Sequence, residues 1–183
     1  MVSMNIIEGL SLNEHEFKVI ETRSAMEEAK QRGLHYIAHA QRTVHEVKNK
    51  LRSLGFPEPI IEKVVELFHG YKYLNDNDYV RSFVHDALLR GKDGPRAIRS
   101  KLLRKGISPS LIDAEAPRLS HDSTFVNNAI TLAIKKYGLL RKRHGQDRHI
   151  LKGKIIQYLV ARGFDFELAR ETANNLIQEN NSV

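Results

Sequence analysis

Cysteine is absent from the chain of 183 residues. Its absence excludes disulfide bonds, zinc sites that depend on thiolates, and cysteine nucleophiles. The lack of disulfides also fits a protein that works in a reducing compartment.

Long hydrophobic runs are missing too. No stretch approaches the roughly 18–20 consecutive apolar residues that cross a bilayer. The start, "MVSMNIIEGLSLNEH", has no basic segment followed by an apolar one. We therefore expect no secretory signal and no membrane contact, and we predict a cytoplasmic protein.

Sequence motifs of the common enzyme classes are also missing. There is no nucleophile elbow, no Walker phosphate loop and no dinucleotide-binding glycine pattern. His35 and His39 share one face of an expected helix, but no third metal ligand accompanies them. The run Asn75–Asp78 lacks the spacing and final glutamate of a calcium loop. We predict neither an enzyme nor a metal or cofactor site.

What the sequence does have is positive charge, unevenly distributed. The formal net charge is +7. Residues 1–23 hold four acids and two bases, a balance of −2, so the remaining residues carry +9. A basic body of this kind indicates a polyanion or an acidic protein face as partner. The alternative is a solvated basic surface that only aids solubility.

One pattern occurs three times: "KLRSLGFPEPII", "KLLRKGISPSLI" and "YLVARGFDFELA". Each copy contains a glycine, and Val, Ile, Leu or Phe stands at five fixed distances from it. The glycines are Gly55, Gly106 and Gly163, and the apolar columns are Val47, Ile98 and Ile155 at −8, Leu51, Leu102 and Leu159 at −4, Phe56, Ile107 and Phe164 at +1, Ile60, Leu111 and Leu168 at +5, and Phe68, Leu119 and Leu176 at +13. This agreement indicates an internal repeat.

Each glycine is predicted to end a helix. Positions −8, −4 and 0 lie on one helix face, and glycine accepts the left-handed conformation that stops a helix. A new helix start follows the stop. Ser108 with Pro109 reads as an N-cap and a first-turn proline, Asp165 reads as an N-cap, and Pro57 and Pro59 play this part less clearly.

A further helix precedes each repeated one, over about 24–41, 78–90 and 122–140. The repeated helices are predicted to begin at Thr43, which forms a capping box with Glu46, at Gly94 with Pro95, and near Asp147. The sequence thus predicts an all-α protein of three tandem three-helix repeats, arranged as an elongated array that can curve. The predicted boundaries are an N-terminal extension over 1–23, repeat 1 over 24–72, repeat 2 over 73–119 and repeat 3 over 120–183. "EHEFKVIE" in the extension alternates weakly, which suggests either a short strand or a disordered arm.

These residues resemble the RecX family, bacterial regulators of the RecA recombinase. The most telling stretch is "GYKYLNDNDYVRSFVHDALLRGKDGPRAIRSKLLRKGI", Gly70–Ile107. Further blocks that resemble the family are Ala40–Phe56, Ala133–Gly138 and Tyr158–Phe164. The resemblance covers about residues 25–180, and the order and spacing of the blocks make it specific.

The resemblance implies a function that periodicity does not show. RecX-like proteins have no catalytic activity of their own; they bind RecA filaments on single-stranded DNA and restrain ATP hydrolysis, strand exchange and the coprotease activity. It therefore implies a role in homologous recombination, DNA repair and the SOS response. We expect a monomer whose partner is a RecA-type filament, with single- or double-stranded DNA as further candidate partners.

Two clusters of basic residues are the candidate binding sites. They would meet carboxylates or phosphates, because arginine can grip either group with two hydrogen bonds. The first cluster is Arg90, Lys92, Arg96, Arg99, Lys101, Arg104 and Lys105, and the second is Lys135, Lys136, Arg141, Lys142, Arg143, Arg148, Lys152 and Lys154. The middle of the second cluster is predicted to be a loop between helices.

Two other functions compete with the regulator. Tandem helix-turn-helix modules would place the helix that ends at each glycine, or the helix after it, in a DNA groove. The helices after the three glycines are acidic or neutral, which makes them poor recognition helices. The third reading is an adaptor solenoid for an unrelated partner.

Overall fold

The computed structural model describes residues 13–120, 123–144 and 147–179. This part of the chain contains nine α-helices and no strand, as the all-α prediction requires. The helices are α1 (Glu14–Ala38), α2 (Val44–Ser53), α3 (Glu58–Gly70), α4 (Asp76–Arg90), α5 (Pro95–Arg104), α6 (Pro109–Ser120), α7 (Ser123–His144), α8 (Arg148–Ala161) and α9 (Phe166–Glu179).

The three glycine stops are confirmed. Gly55, Gly106 and Gly163 have φ values of +86°, +78° and +84°. In the first stop, the Phe56 N–H donates to the Leu51 carbonyl at 3.3 Å, and the Gly55 N–H donates to the Arg52 carbonyl at 2.9 Å. The other two stops repeat both bonds at the same spacing. This pair of bonds defines a Schellman motif, so one local device ends α2, α5 and α8.

The predicted helix starts are confirmed as well. Thr43 and Glu46 form a capping box at the start of α2. The Ser108 hydroxyl accepts from the Leu111 N–H at 3.3 Å, and the Asp147 carboxylate accepts from the Ile150 N–H at 3.1 Å. Each cap satisfies an N–H that the first helical turn leaves without a partner.

The prediction of a short strand or a disordered arm within residues 1–23 was wrong for residues 14–21. "EHEFKVIE" is the beginning of α1, not a strand or an arm. Asn13 explains the early start, because it forms a capping box with Glu16 at 2.9 and 3.0 Å. Residues 1–12 lie outside the described residues.

The described residues divide into two compact units, with the boundary between Asn75 and Asp76. The first contains α1–α3, whose buried core includes Val47, Leu51, Ile61 and Phe68. Gly33 on α1 lets the Phe68 ring lie against the α1 backbone, since a Cβ there would come within 2.7 Å of the ring. This unit is thus a three-helix bundle with a core of its own.

The second unit contains α4–α9, which share one core. Side chains of α5 and α8 pack in this core with those of α6 and α9. The second and third repeats therefore stack on each other, as expected because a three-helix unit of this size buries little apolar surface by itself. The repeat boundaries at 24, 73 and 120 remain predictions.

The apolar columns are placed as predicted, with one adjustment. The residues at −8 and −4 are buried in all three copies. At +5, Leu111 and Leu168 are only half-buried, while the next residues, Ile112 and Ala169, are 1% and 0% exposed. The face that enters the core is therefore centred one residue later. The side chain of Leu119 lies outside the described residues.

Candidate binding surfaces

The first basic cluster lies at the end of α4 and along α5. Arg96, Arg99 and Lys101 point outward, as predicted, but each is in an ion pair. Arg96 reaches Asp165 at 2.8 Å, whereas the partners of Arg99 and Lys101 are Asp113 and Asp93. The sequence distance of 69 residues between Arg96 and Asp165 explains why this neutralisation could not be predicted.

Three members of the first cluster keep their charge free. Arg90, Lys92 and Arg104 are exposed and have no acidic partner among the described residues. Lys105 is half-buried at the C-cap of α5. The free charge of this cluster therefore lies near the two ends of α5.

The second cluster lies on α7 and α8. Arg141, Lys142 and Arg143 form the last turn of α7, which corrects the predicted loop, because α7 continues to His144. Residues 145 and 146 of that predicted loop lie outside the described residues. Cations at a helix C-terminus are favoured by the partial negative charge of the last carbonyl groups.

The second cluster is less neutralised than the first. Within the described part of the chain, none of its residues has an ion-pair partner. Most are exposed, and the exceptions are Lys136 and Lys152, which are half-buried. The exposed members Lys135, Arg141, Lys142, Arg143, Arg148 and Lys154 form what we call the α7–α8 basic surface.

Arg162 belongs to neither predicted cluster but lies next to residues of both. It lies at the C-cap of α8 with its guanidinium 5.3 Å from the centre of the Tyr158 ring. Lys136 of the second cluster lies 5.0 Å from the same ring. Arg162 Nη1 also donates to the Lys92 carbonyl of the first cluster at 3.4 Å. The sequence signal was its position directly before the glycine stop at Gly163. Only the fold shows that this stop lies beside the N-terminus of α5.

A groove of about 400 Å³ lies between α5 and the end of α8. Its lining includes Arg96, Lys101, Arg104 and Arg162, with Asp93 as an acidic member. We call it the α5–α8 groove. In this groove, basic residues that are distant in sequence line one concave surface.

Two tyrosines form a small exposed aromatic surface elsewhere. Tyr71 and Tyr73, in the turn after α3, are 57% and 55% exposed, and their ring centres are 5.6 Å apart. Lys72 between them has φ +59°, an uncommon conformation for a residue with a side chain.

Metal ligands do not converge in the described part of the chain. His35 and His39 lie with their Nε2 atoms 3.3 Å apart. No group of three or more His, Cys, Asp or Glu residues suited to a metal ion occurs among the described residues. None of the described helices is long and apolar enough to cross a membrane.

Comparison with known proteins identifies the family. A protein of Clostridioides difficile named "Regulatory protein RecX" is 31% identical over 175 residues, which cover 96% of this chain and 80% of that protein. The chain belongs to the RecX family. Three RecX family models, described as the first, second and third three-helix domains, match residues 29–66, 75–114 and 125–172.

Further relatives agree with this assignment. A RecX protein of Streptococcus agalactiae serotype III is 29% identical over 96% of this chain, which spans 66% of that longer relative. Among solved structures, a crystal structure of regulatory protein RecX is 25% identical with a TM-score of 0.78, over 92% of this chain and 83% of that one. The crystal structure of RecX from Lactobacillus salivarius is 28% identical with a TM-score of 0.73, over 88% and 99%. The all-α fold of three three-helix domains is thus a RecX fold.

Proposed function

We propose that this chain is a non-enzymatic, cytoplasmic and monomeric regulator that binds RecA-type filaments on single-stranded DNA. By binding, it restrains recombination, ATP hydrolysis and coprotease activity. Membership of the RecX family across all three helical domains carries this proposal.

The charge distribution supports an anionic partner. The α7–α8 basic surface presents several cations that no described acid neutralises. A filament of recombinase on DNA offers both carboxylates and phosphates to such a surface. We therefore propose that the α7–α8 basic surface faces the filament.

A direct test adds the protein to preformed RecA filaments and follows ATP hydrolysis, with binding to DNA alone as a parallel measurement. Inhibition of hydrolysis at protein concentrations below those needed to bind DNA would support the regulator. Unchanged hydrolysis combined with tight, sequence-specific duplex binding would favour the helix-turn-helix alternative.

Charge reversal tests the surface itself. The variant R141E/K142E/R143E should bind filaments at least about tenfold more weakly, because buried or close charge pairs across an interface contribute more than 1 kcal/mol each. Its helix content, measured by circular dichroism, should not change. The matched control is K18E/K50E/K63E, which reverses three exposed lysines of the first unit.

The salt dependence gives a second readout of the same surface. Wild-type binding should weaken steeply as salt rises, since ion contacts are screened and phosphate contacts release counterions. Binding that stays constant across a salt series, or equal binding by both triple variants, would contradict the proposed surface.

The helix-turn-helix alternative has less support from the described surface. Among the candidate recognition helices, those that follow a glycine stop expose carboxylates. These are Glu58, Glu62 and Glu66 on α3 and Glu167 and Glu171 on α9. Carboxylates at these positions would repel the phosphates that border a DNA groove. We therefore favour the filament regulator.

A further inference from the structure

The α5–α8 groove suggests which feature of a partner this chain recognises. We propose that it binds an acidic peptide segment of the partner protein, in which an apolar side chain is flanked by two carboxylates. This inference rests on the regulator function proposed above and assigns a second contact region to it, separate from the α7–α8 basic surface.

The walls of the groove provide the charge. Arg104 from α5 and Arg162 from the end of α8 have no acidic partner among the described residues. Arg96 and Lys101 add positive charge, but Asp165 and Asp93 already pair with them. These two guanidinium groups come from different helices and lack an acidic partner, so they suit two carboxylates of a partner segment.

The lining of the groove also has apolar members. Ala97 on α5 and Val160 and Ala161 on α8 line the groove, and Val160 is 37% exposed. A small or medium aliphatic side chain of a partner would cover this exposed surface. Burial of apolar area contributes about 25 cal/mol per Å², so a segment with an apolar residue between two acids matches both the charged and the apolar lining.

The groove is held in shape by the backbone. The Gly94 N–H donates to the Arg162 carbonyl at 2.8 Å, and the Arg96 N–H donates to the Gly163 carbonyl at 3.0 Å. A Cβ at Gly94 would lie 2.4 Å from the Gly163 carbonyl carbon, so the two segments are in direct backbone contact. A groove of fixed shape binds with a smaller entropic cost than one that must be ordered by its ligand.

A protein segment fits this groove better than single-stranded nucleic acid. Proteins that bind single strands combine cations with aromatic rings on which bases stack, and no aromatic residue lines the groove. The nearby Tyr158 ring is already approached by Lys136 and Arg162.

The size of the groove agrees with a short segment. Its volume of about 400 Å³ lies near the lower end of the roughly 300–1,000 Å³ that ligand pockets span. This space accommodates a few side chains rather than a folded domain. Most of the binding energy would then come from the two arginines and the apolar contact.

The test uses purified full-length protein and purified RecA filaments on a thymidine oligonucleotide. R104E/R162E reverses the two charges that lack an acidic partner, and Ser100→Trp blocks the groove without changing its charge, since Ser100 is an exposed lining residue. Both variants should bind filaments at least about tenfold more weakly in co-sedimentation, as expected when a central contact is lost. K50E/K63E, the matched charge control from the first unit, should bind within about twofold of wild type.

Photo-crosslinking identifies the occupant. Benzoylphenylalanine in place of Ser100 should crosslink to a recombinase peptide that contains aspartate or glutamate, identified by mass spectrometry. A crosslink to the oligonucleotide, or an equal loss of binding to DNA alone by R104E/R162E, would overturn the proposal.

The two proposals fail in different ways. Filament binding by wild type together with full binding by Ser100→Trp would overturn the groove and leave the regulator function standing. No filament binding by wild type would overturn both. Circular dichroism and thermal melting of each variant establish that a loss of binding is not a loss of fold.

Discussion

At the scale of single residues, glycines in the same conformation face different surroundings. Gly55 and Gly163 both have positive φ and both end a helix through the same pair of hydrogen bonds. A Cβ at Gly55 would meet no atom within 4 Å, whereas one at Gly163 would lie 2.3 Å from the backbone nitrogen of Ala97. Gly163 therefore serves both the turn and the contact with α5.

This difference predicts unequal costs for two identical substitutions. Gly55→Ala should destabilise the first unit by about 1–2 kcal/mol, the cost of a left-handed residue with a Cβ. Gly163→Ala should cost the second unit at least about 3 kcal/mol, because backbone overlap is added. Hydrogen exchange measured by mass spectrometry reports the two units separately. Equal losses of protection would show that the contact with α5 is not important.

The pair of Arg52 and Glu58 gives a prediction about pH. Arg52 Nε and Nη2 donate to the two carboxylate oxygens of Glu58 at 2.9 and 2.6 Å across the turn at Gly55. These hydrogen bonds, followed by the charge of the guanidinium, hold the pKa of Glu58 below its usual value. A carboxyl group with a lowered pKa in the folded state stabilises the fold above its unfolded-state pKa, and this stabilisation is lost as pH falls.

Glu58→Gln should therefore lower the thermal midpoint slightly at pH 7. The difference from wild type should shrink as pH falls below about 4.3, the ordinary pKa of glutamate. It should disappear once pH is below the lowered pKa of Glu58 in the folded state, where the carboxyl group is protonated. Because both side chains are exposed, the effect at pH 7 should be small and should weaken in high salt. A difference that persists unchanged at low pH would mean that the carboxylate charge is not its cause.

At the scale of elements, α3 ends in the same way as the three helices that end at glycine. The Tyr73 N–H donates to the Phe68 carbonyl at 2.8 Å, and the Lys72 N–H donates to the His69 carbonyl at 2.9 Å. These are the two bonds of a Schellman motif, with Lys72 in the left-handed position that glycine usually occupies.

Lys72→Gly should stabilise the first unit by up to about 1 kcal/mol, since the strain of the left-handed conformation outweighs the extra freedom of glycine in the unfolded chain. Urea denaturation followed by circular dichroism measures the effect. Lys72→Ala serves as the control, because it removes the ammonium group but keeps the Cβ, and it should not stabilise. Equal stabilisation by both substitutions would point to charge instead of backbone strain.

At the scale of the whole molecule, three repeats build two cores. The core of α1–α3 is separate, while α4–α9 contribute to a common one. Besides the backbone bonds at Gly94, the Asn128 side-chain amide on α7 donates to the Leu88 carbonyl on α4 at 3.0 Å. The second and third repeats therefore depend on each other.

This dependence predicts how fragments behave. A fragment of residues 76–183 should fold cooperatively, with a sharp thermal transition by circular dichroism. A fragment of residues 76–119 should show weak helicity and no cooperative transition, because the core it shares with the third repeat is missing. A sharp transition of the shorter fragment would contradict this prediction.

The sequence by itself determined the features that depend on neighbours along the chain. Glycine stops, capping residues and apolar columns act within a few residues, so the helix ends at Gly55, Gly106 and Gly163 and the helix starts at Thr43 and Asp147 could be predicted. The start of α1 also depends on neighbours along the chain, since Asn13 and Glu16 form its capping box, but the weak alternation of "EHEFKVIE" wrongly suggests a strand.

Only the tertiary structure decided which charges are free and where they meet. The partner of Arg96 is distant in sequence, and Arg162 joins two basic clusters only because the end of α8 lies against the start of α5. Ion pairs and grooves of this kind depend on how helices pack, and local periodicity does not encode that packing. The chain alone therefore indicated basic residues, while the fold distinguished the neutralised ones from those left free to bind.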